Sequence, residues 1–298
     1  MKILNFGSFC IDHVYRVPHF VRPAETLPSL SYTVFAGGKG FNQSLAIARA
    51  GGTVAHAGSV GEGGEWLVQR LETAGVDVSR VVKSAKPTGH AVIQLNPSGE
   101  NAIVLFAGAN RSITREQIDL GLTDFGAGDL LLLQNEISEP AYLVQLALGK
   151  GMRVVMNPAP MDPVAQSLPL EQLSMIIVNE VEAFDLTGET SPELILDRLA
   201  QRMPQGDVVL TLGSQGAMWR SATHRLHIPA INVDVVDTTG AGDTFTGYLI
   251  ASLAAGLPPD AAMGRAVVAA GLSVTQAGAA DSIPDAATVD RVLAGSAV

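Results

Sequence analysis

The chain has 298 residues, of which 47% are hydrophobic and only 5% aromatic, so it can bury a substantial core of closely packed aliphatic side chains. A formal net charge of −10 without a long basic run argues against a nucleic-acid or anionic-membrane partner, because both are bound through clustered lysine and arginine. Cys10 is the only cysteine, which rules out an intrachain disulfide and, with no apolar run of signal-peptide or membrane-spanning type, predicts a cytoplasmic protein.

Short β-rich apolar runs alternate with segments of helical spacing along the chain. The predicted strands are residues 3–6, 54–57, 130–133, 154–156, 175–178 and 208–212. The predicted helices are residues 42–50, 64–74, 141–149, 193–203, 241–255 and 259–276. This alternation predicts an α/β protein with a doubly wound, mostly parallel sheet and helices on both faces, in which ligands bind beyond the carboxyl ends of the strands.

Two stretches break this rhythm, because they are rich in β-forming or turn-forming residues and contain no helical pattern. They cover approximately residues 12–36 and 88–107, and we expect them to pair as a small β-sheet lid over one end of the main sheet. The whole chain, residues 1–298, is then one domain with the lid segments inserted in its α/β core.

The segment DTTGAGDTF, residues 237–245, joins a strand-like run at residues 231–236 to an apolar helix. The first turn of that helix is built from small residues, Gly240, Ala241 and Gly242. Its unpaired N–H groups and the helix dipole favour an anion such as phosphate. Asp243 adds a carboxylate that can accept the proton of a hydroxyl attacking a phosphoryl group. Alone, Asp243 would be an ordinary acid in a first turn, but the strand-like run and the threonine pair favour catalysis.

A second glycine-rich segment, AGGKGFN at residues 36–42, also opens a helix. It is not a Walker A loop, because glycine and not serine or threonine follows Lys39. Its glycines permit close backbone approach, while Lys39 and Asn42 supply donors suited to sugar hydroxyls. The alternative interpretation is a tight strand-to-helix turn with a solvated lysine.

From Gly7 to Pro284 the chain resembles the ribokinase, or phosphofructokinase-B, family of carbohydrate kinases. The matching stretches are Gly7-Ser8 with Asp12, Gly37-Gly38-Lys39-Gly40 with Asn42, Gly108-Ala109-Asn110, Gln134 to Glu136, Asn157-Pro158-Ala159-Pro160, Asn179-Glu180-Val181-Glu182, Thr211-Leu212-Gly213-Ser214 with Gly216, and Asp237 to Phe245. Each stretch is weak alone, but their order and spacing are specific. The resemblance implies a ribokinase-like core with a β lid and phosphoryl transfer from ATP, with Mg²⁺, to a primary hydroxyl of a sugar, with ribose favoured.

The resemblance also implies functions for individual residues. The positions expected to hold the sugar are Asp12, Gly38, Lys39, Asn42 and Glu136. Those expected on the Mg²⁺ and nucleotide side are Asn179, Glu182, Thr211, Gly213, Ser214 and Gly216. Asn179 and Glu182 would equally suit a helix N-cap and its reciprocal partner. A monovalent cation, expected to be K⁺, would lie near Asp237, Thr239, Ser273, Gln276, Gly278 and Ser282.

Two positions depart from the family pattern, Cys10 and Phe41, and the first keeps other substrates open. Phe41 stands where a small residue is more usual and could reshape the pocket or pack in the core. Cys10 stands where an asparagine is expected to face the sugar, and a thiol is a much weaker hydrogen-bonding group. A kinase for a nucleoside or for another sugar, such as a ketohexose, is therefore the alternative. A sugar-binding regulator without catalysis is more remote, because pure binding needs no base at Asp243. An NAD-dependent dehydrogenase is disfavoured, since no Gly-x-Gly-x-x-Gly follows the first predicted strand.

Ribokinase-like enzymes commonly dimerise through their lids, so the resemblance makes a homodimer an expectation here too. The apolar lid residues that would allow it are Val14, Val17, Val34 and Ile103. A small sheet that covers a sugar needs apolar residues on its inner face in any case.

Overall fold

The computed structural model describes residues 1–295 of the chain. The strands are β1 Ile3–Phe6, β2 Cys10–Arg16, β3 Ser31–Gly37, β4 Ala55–Val60, β5 Asp77–Lys83, β6 His90–Leu95, β7 Asn101–Phe106, β8 Leu130–Gln134, β9 Arg153–Asn157, β10 Met175–Asn179, β11 Asp207–Thr211, β12 Ala217–Arg220 and β13 Arg225–Ile228. The helices are α1 Lys39–Arg49, α2 Glu65–Thr73, α3 Arg115–Gly121, α4 Pro140–Gly149, α5 Pro163–Gln166, α6 Glu180–Thr187, α7 Pro192–Arg202, α8 Ala241–Ala254, α9 Pro259–Ser273, α10 Ala279–Ser282 and α11 Ala286–Gly295. Short 3₁₀ helices cover Gly108–Ser112, Leu170–Gln172 and Gly213–Gln215.

The main sheet has nine strands in the order β13-β12-β11-β10-β9-β8-β1-β4-β5. All neighbours from β11 to β5 pair in parallel, and only β12 and β13 are antiparallel. The winding direction reverses between β1 and β8, which creates a crevice beyond the carboxyl ends of these strands. The predicted doubly wound, mostly parallel sheet is therefore confirmed.

Successive side chains of the central strands enter two separate cores. Leu130 and Leu132 of β8 belong to the core that contains α1, α2, α8, α9 and α11. Leu131 and Leu133 belong to the core that contains α3, α4, α6 and α7. Because helices cover both faces of the sheet, its strands are continuously apolar, which explains the runs that predicted them.

A second sheet of four strands, which we call the small sheet, has the order β3-β2-β6-β7. Its strands lie in the two stretches that the sequence analysis assigned to a lid, and β2 pairs with β6 in parallel. Only three residues separate β1 from β2, so the small sheet stands at the carboxyl edge of the main sheet. β3 leads directly into α1, which connects the small sheet to the crevice.

The strand predicted at residues 231–236 is wrong. This described segment has no regular secondary structure, and the N–H groups of Val236 and Asp237 both donate to the Val274 carbonyl, at 2.8 and 3.1 Å. Val235 and Val236 are exposed, so their apolar side chains are not held in a sheet. The segment lacks a neighbouring strand, and a β pattern forms a strand only where such partners exist.

The remaining predicted elements are present, with ends shifted by a few residues. The helix predicted at residues 259–276 ends at Ser273, so Gln276 lies in the following loop. None of the helices within residues 1–295 is long and apolar enough to cross a membrane.

Candidate active site

Polar residues collect where the parallel strands of the main sheet end. Gln134, Asn157, Asn179 and Thr211 are the last residues of β8, β9, β10 and β11. Because parallel strands present their carboxyl ends at one edge, these four side chains share the crevice of the doubly wound sheet. α8 begins beside them, so its first turn faces the same space.

A cavity of about 220 Å³ lies in this crevice. Its lining residues are Lys39, Asn157, Ala159, Ile177, Val178, Asn179, Glu182, Thr211, Thr238, Gly240, Gly242, Asp243 and Thr246. A larger groove of about 520 Å³ between α1 and α2 has no carboxylate in its lining. The smaller cavity, in which carboxylates, a lysine and a helix N-terminus converge, is therefore the candidate active site.

α8 starts with an open N-terminus that points into this cavity. Its N-cap is Gly240, in the left-handed conformation at φ 77°, and no side chain caps the helix. A Cβ atom at Gly240 would lie 2.8 Å from the Cβ of Ala279, so a larger residue would meet the chain after α9. The uncapped N–H groups of Gly242 and Asp243 remain available to an anion, as the helix geometry requires.

Asp243 is 6% exposed, and its carboxylate is held by two side-chain amides of α1. Asn42 Nδ2 donates to Oδ2 and Gln43 Nε2 donates to Oδ1, both at 2.9 Å. Both oxygens are thereby oriented while the carboxylate still lines the cavity. The sequence analysis identified Asn42 but missed Gln43, although a glutamine among the apolar residues of a predicted buried helix was a usable signal.

The start of α1 is built against the loop that follows β1. Gly38 is the N-cap at φ 94°, and a Cβ at Gly40 would lie 2.3 Å from the Ser8 backbone nitrogen. In place of a side-chain cap, the Lys39 N–H donates to Glu136 Oε2 at 3.0 Å. The Ser8 hydroxyl donates to the same oxygen. Two protein donors thus converge on Oε2 of Glu136 at a helix N-terminus, where negative charge is stabilised.

Asp12 and Cys10 lie on β2, beside Glu136. Burial and the neighbouring Asp12 carboxylate raise the pKa of the Cys10 thiol, so Cys10 stays a neutral thiol at every working pH. Burial raises the pKa of Asp12 as well, with Glu136 adding to the rise and a hydrogen bond from Cys10 opposing it. Gly37 leaves room for this carboxylate, since a Cβ there would lie 2.1 Å from Asp12 Oδ2.

Lys39 brings positive charge into an acidic site. The carboxylate of Asp243 raises the pKa of Lys39 against the effect of burial, and Glu136 and Glu182 add to this rise. Lys39 therefore remains protonated and faces the cavity together with Asp243. An ammonium in that position supplies the field that a transferring phosphoryl group requires.

Asn179 and Glu182 form a complete capping box at the start of α6. Asn179 Oδ1 accepts from the Glu182 N–H at 2.8 Å, and Glu182 Oε2 accepts from the Asn179 N–H at 3.1 Å. Burial raises the pKa of Glu182, whose nearby charges include Lys39 and Asp243. The helix-cap interpretation is thus confirmed, and both residues also line the cavity.

The remaining nucleotide-side residues surround the end of β11. Gly213 and Ser214 lie in the 3₁₀ turn after Thr211, and Gly216 closes it at φ 91°. A Cβ at Gly216 would lie 2.0 Å from the Ile228 carbonyl oxygen of β13. Thr211 reaches the cavity, whereas these glycines and Ser214 shape the adjoining turn.

The six residues expected near a monovalent cation lie on the segment before α8, at the end of α9, and on the chain that follows α9 as far as the end of α10. Asp237 Oδ1 accepts from the N–H and hydroxyl of Thr239, and its Oδ2 accepts from the Gly278 N–H at 2.9 Å. Ser273 and Ser282 donate to carbonyls within their own helices. Gln276 and Ser282 line a separate cavity of about 390 Å³. Asp237 therefore ties the two segments together.

Among residues 1–295, no cluster of three or more His, Cys, Asp or Glu side chains could hold a metal ion.

Comparisons with known proteins agree with this architecture. A family model described as pfkB family carbohydrate kinase matches residues 1–286. A ribokinase of Haemophilus influenzae is 36% identical over 290 residues, covering 93% of this chain and 94% of that protein. A deoxyribokinase of Salmonella typhi is 30% identical over 296 residues, covering 95% and 96%. The structure of Arabidopsis thaliana ribokinase complexed with ribose and ATP superposes with a TM-score of 0.87 at 28% identity, covering 98% of each chain.

Proposed function

The chain belongs to the pfkB family of carbohydrate kinases, and we propose that it transfers the γ-phosphoryl group of ATP to a primary hydroxyl of ribose. The observation that carries this proposal is the position of Asp243, a buried carboxylate beside the uncapped N-terminus of α8. Phosphoryl transfer needs an acceptor for the hydroxyl proton and donors for the phosphate charge, and these two features supply both.

In the proposed reaction the sugar hydroxyl oxygen forms a bond to the γ-phosphorus while the bond to the β–γ bridging oxygen breaks. Asp243 takes the hydroxyl proton, and ADP leaves with the electron pair of the broken bond. In the turn formed by Gly240, Ala241 and Gly242, the Ala241 N–H already donates to the Thr238 carbonyl. The N–H groups of Gly240, Gly242 and Asp243 and the Lys39 ammonium would therefore stabilise the charge that spreads over the phosphoryl oxygens. In the structure, Asn42 donates a hydrogen bond to Oδ2 of this carboxylate and Gln43 donates one to Oδ1.

The sugar would be held by residues from the small sheet, α1 and the end of β8. These are Asp12, Gly38, Lys39, Asn42 and Glu136. Asp12 and Glu136 would accept bonds from ring hydroxyls, because a carboxylate has several lone pairs and Glu136 Oε1 is not engaged by Ser8 or Lys39. A buried acceptor left unpaired is costly, so the site should reject sugars that lack a hydroxyl.

The nucleotide would lie toward the ends of β10 and β11. Its proposed contacts are Asn179, Glu182, Thr211, Gly213, Ser214 and Gly216. Both oxygens of the buried Glu182 carboxylate already accept hydrogen bonds from Asn179, one from its N–H and one from its side-chain amide, which suits a water-mediated contact to Mg²⁺ better than a closed metal cage. When bound with ATP, Mg²⁺ neutralises part of the phosphate charge.

A monovalent cation, K⁺, would lie where Asp237 joins the two segments around α8 and α9. The proposed ligand region comprises Asp237, Thr239, Ser273, Gln276, Gly278 and Ser282. A cation there would fix the loop that precedes Gly240 and strengthen the positive field at the anion site. We expect a higher kcat in K⁺ than in Na⁺ buffer, and equal rates would leave these residues with a structural function only.

We further infer that residues 1–298 act as one kinase domain and that two chains associate through the small sheet. The single cysteine, Cys10, is a buried free thiol and fits the reducing conditions of the cytoplasm, where we place the enzyme. These inferences are independent of the reaction itself.

The substrate is tested by measuring ADP release with ribose, 2-deoxyribose, a ketohexose and a nucleoside under identical ATP and Mg²⁺ conditions. We expect ribose to give the highest kcat/KM, and 2-deoxyribose to be about tenfold to one hundredfold poorer because a buried acceptor loses its partner. Preference for 2-deoxyribose or a nucleoside would instead assign Cys10 to the recognition of that substrate. The absence of ADP release with every compound would overturn the kinase proposal.

A further inference from the structure

Gln43 lies beneath the catalytic base and has none of the functions assigned above to the sugar or nucleotide. Its side chain on α1 is completely buried. One end touches Asp243, since Nε2 lies 2.9 Å from Asp243 Oδ1 and 3.1 Å from Asn157 Oδ1. The other end, Oε1, lies 2.6 Å from Gln134 Nε2. Gln43 therefore links Asp243 to the carboxyl ends of β8 and β9.

The orientation of the Gln43 amide follows from backbone carbonyls at both ends of this network. Asn5 Nδ2 donates to the Gly40 carbonyl at 2.8 Å, so Asn5 Oδ1 must accept, and Gln134 Nε2 donates to it at 3.0 Å. A carbonyl can only accept, so neither amide can be reversed without loss of a bond. Gln134 Nε2 then also faces Gln43 Oε1, which leaves Gln43 Nε2 as the donor toward Asp243.

A second backbone carbonyl, that of Ile177, fixes the same orientation of the Gln43 amide through Asn157. Asn157 Nδ2 donates to the Ile177 carbonyl at 3.0 Å, so Asn157 Oδ1 faces Gln43 and must accept. The two N–H groups of Gln43 are thus both used, one on Asn157 and one on Asp243. Gln43 has no freedom to turn, because all three of its hydrogen-bonding partners lie in the buried interior.

Close contact between α1 and α8 makes this bridge possible. A Cβ atom on Gly247 of α8 would lie 2.4 Å from the Cβ of Ala46 and 2.9 Å from the Gln43 carbonyl oxygen. Glycine at this position lets the two helices approach closely. The approach places Gln43 of α1 against Asp243 one turn earlier on α8.

We propose that Gln43 is a positioning residue for the catalytic base: it holds one oxygen of Asp243 so that the remaining lone pairs face the sugar hydroxyl. The proposal rests on the proposed function of Asp243. The carboxylate is fixed by Gln43 on Oδ1 and by Asn42 on Oδ2, and a reacting geometry set in advance lowers the barrier to reaction. The charged groups around the carboxylate are Lys39 from α1 and Glu182 from α6.

The test compares Gln43→Met, Gln43→Glu and Ser44→Ala with the unmodified enzyme. Methionine keeps the length of the side chain without its donors, and glutamate keeps the shape but turns the donor toward Asp243 into an acceptor. Ser44→Ala is the matched control, because Ser44 is a fully buried neighbour on α1 that bonds Asn5 and His56 but not Asp243. Its loss leaves the bond from Asn5 Nδ2 to the Gly40 carbonyl, which sets the orientation of Asn5, in place. The readouts are kcat, the dissociation constant of the sugar by calorimetry, and the kcat–pH profile.

We expect both Gln43 variants to lower kcat by about tenfold to one hundredfold, the cost of a misplaced reacting group, while the sugar dissociation constant changes less than about threefold. The acidic limb of the kcat–pH profile should move to higher pH, because a carboxylate that loses an N–H donor holds its proton more tightly. Ser44→Ala should leave kcat and the profile unchanged. If Gln43→Met does not fold, Gln43→Glu alone decides the outcome.

A Gln43 variant that folds with unchanged kcat and an unchanged pH profile would overturn the positioning function. Failure of the proposed function has a different signature, since the unmodified enzyme would then release no ADP with any sugar. In that case crystal structures still test the inference. The Asp243 carboxylate should turn in Gln43→Met and keep its orientation in Ser44→Ala, and an unmoved carboxylate in both would contradict it.

Discussion

Asp243 satisfies two demands at once, since an acid in the first turn of α8 stabilises the helix and a carboxylate beside its amides can accept a proton. The two functions separate in Asp243→Asn, which keeps the size of the side chain but cannot act as a base. We expect kcat to fall more than about one hundredfold, the typical contribution of a general base, while sugar and ATP dissociation constants change only a few fold.

A matched control for the helix effect is Asp260→Asn. Asp260 is the acid in the first turn of α9 and is exposed, so its substitution should alter kcat by less than about twofold. If kcat of Asp243→Asn falls by less than about tenfold, equivalent to roughly 1.4 kcal/mol, then Asp243 serves only to stabilise the helix N-terminus, as Asp260 does.

Cys10 is the residue whose substitution most directly tests the proposed choice of ribose. Its neutral thiol lies beside Asp12 and Glu136 and offers only a weak hydrogen bond. If ribose reaches this side chain, Cys10→Asn should raise kcat/KM for ribose by about threefold to tenfold, the value of one net hydrogen bond. Cys10→Ala is the control and should change little. A sharp loss of ribose turnover in Cys10→Asn would show that the pocket is already shaped for ribose around cysteine.

His56 couples the buried polar network to pH. It is fully buried on β4, its Nδ1 lies 2.8 Å from the Ser44 hydroxyl, and burial lowers its pKa from 6.5 to about 3. At pH values between about 3 and 6.5, His56 is protonated in the unfolded chain but neutral in the folded chain. Unfolding therefore takes up protons, and the free energy of unfolding falls as the pH falls through this window.

We expect the His56 contribution to the free energy of unfolding to fall by about 2 kcal/mol between pH 7.5 and pH 5. The free energy of unfolding is measured in urea for the unmodified protein and for His56→Gln at both pH values. The difference isolates the His56 contribution, because the two proteins share all other titrating groups. The variant should show a dependence on pH that is shallower by that amount. Parallel dependences would mean that His56 takes up its proton in the folded state.

Site residues that belong to a local sequence motif could be predicted. Site residues that are brought together only by the tertiary structure could not. The pattern around Asp243, Lys39 and Asn42 is local, so it was visible in the sequence. The network of Asn5, Gln43 and Gln134 joins residues far apart in the chain through buried amides. A lone glutamine or asparagine has no characteristic spacing, so nothing short of the packed structure reveals its partner.

At the scale of elements, the capping box of α6 also lies in the proposed magnesium region, and the two functions can be separated. Thr114 and Gln117 form the equivalent capping box at the start of α3. We expect Asn179→Ala and Thr114→Ala to lower the free energy of unfolding by a similar amount, about 1 kcal/mol. Only Asn179→Ala should raise the Mg²⁺ concentration needed for half-maximal activity. An equal Mg²⁺ requirement in both variants would leave Asn179 as a helix cap alone.

The central strands and long helices were predictable because burial gives each a characteristic sequence pattern. A strand buried on both faces is a continuous apolar run, and a helix buried on one face has apolar residues at helical spacing. The segment at residues 231–236 was not predictable, since its alternation of apolar residues is local while strand formation depends on a partner. Its actual partner is the Val274 carbonyl at the end of α9, which satisfies two N–H groups at a single point. The strand β13, at the edge of the sheet, was missed because it is short and partly exposed. The neighbouring β12 was missed because it has only four residues, although three of them are buried.

For the whole molecule, the charge balance explains how an acidic protein can hold a polyphosphate. With a net charge of −10, the surface as a whole repels ATP. Within the cavity, positive charge is supplied where Lys39 and the open N-terminus of α8 meet. The negative surroundings are themselves what keep Lys39 protonated, since Asp243 raises its pKa.

The small sheet leaves several large apolar side chains exposed. Ile103 and Val104, adjacent on β7, are 54% and 71% exposed, and successive residues of a strand point to opposite faces. Val17 is buried within the chain, so of the residues expected at a dimer contact Val34 and Ile103 are those most available. Val34, Val92 and Val104 are linked across the sheet through the pairs Val34–His13, His13–Val92 and Val92–Val104, so they share one face, opposite to that of Ile103. All three are exposed, and contiguous exposed apolar patches commonly mark an interaction surface. A second copy of this chain is the partner we propose.

We expect sedimentation equilibrium at micromolar concentration to give twice the chain mass of 31.0 kDa. Ile103→Glu and Val104→Glu place a charge on opposite faces of the same strand, at positions where neither disturbs the core. Because a dimer contact uses one face of the sheet, one variant should become monomeric and the other should remain dimeric, with circular dichroism spectra unchanged in both. A monomeric unmodified protein, or two variants that both stay dimeric, would contradict association through the small sheet and restrict its function to covering the cavity.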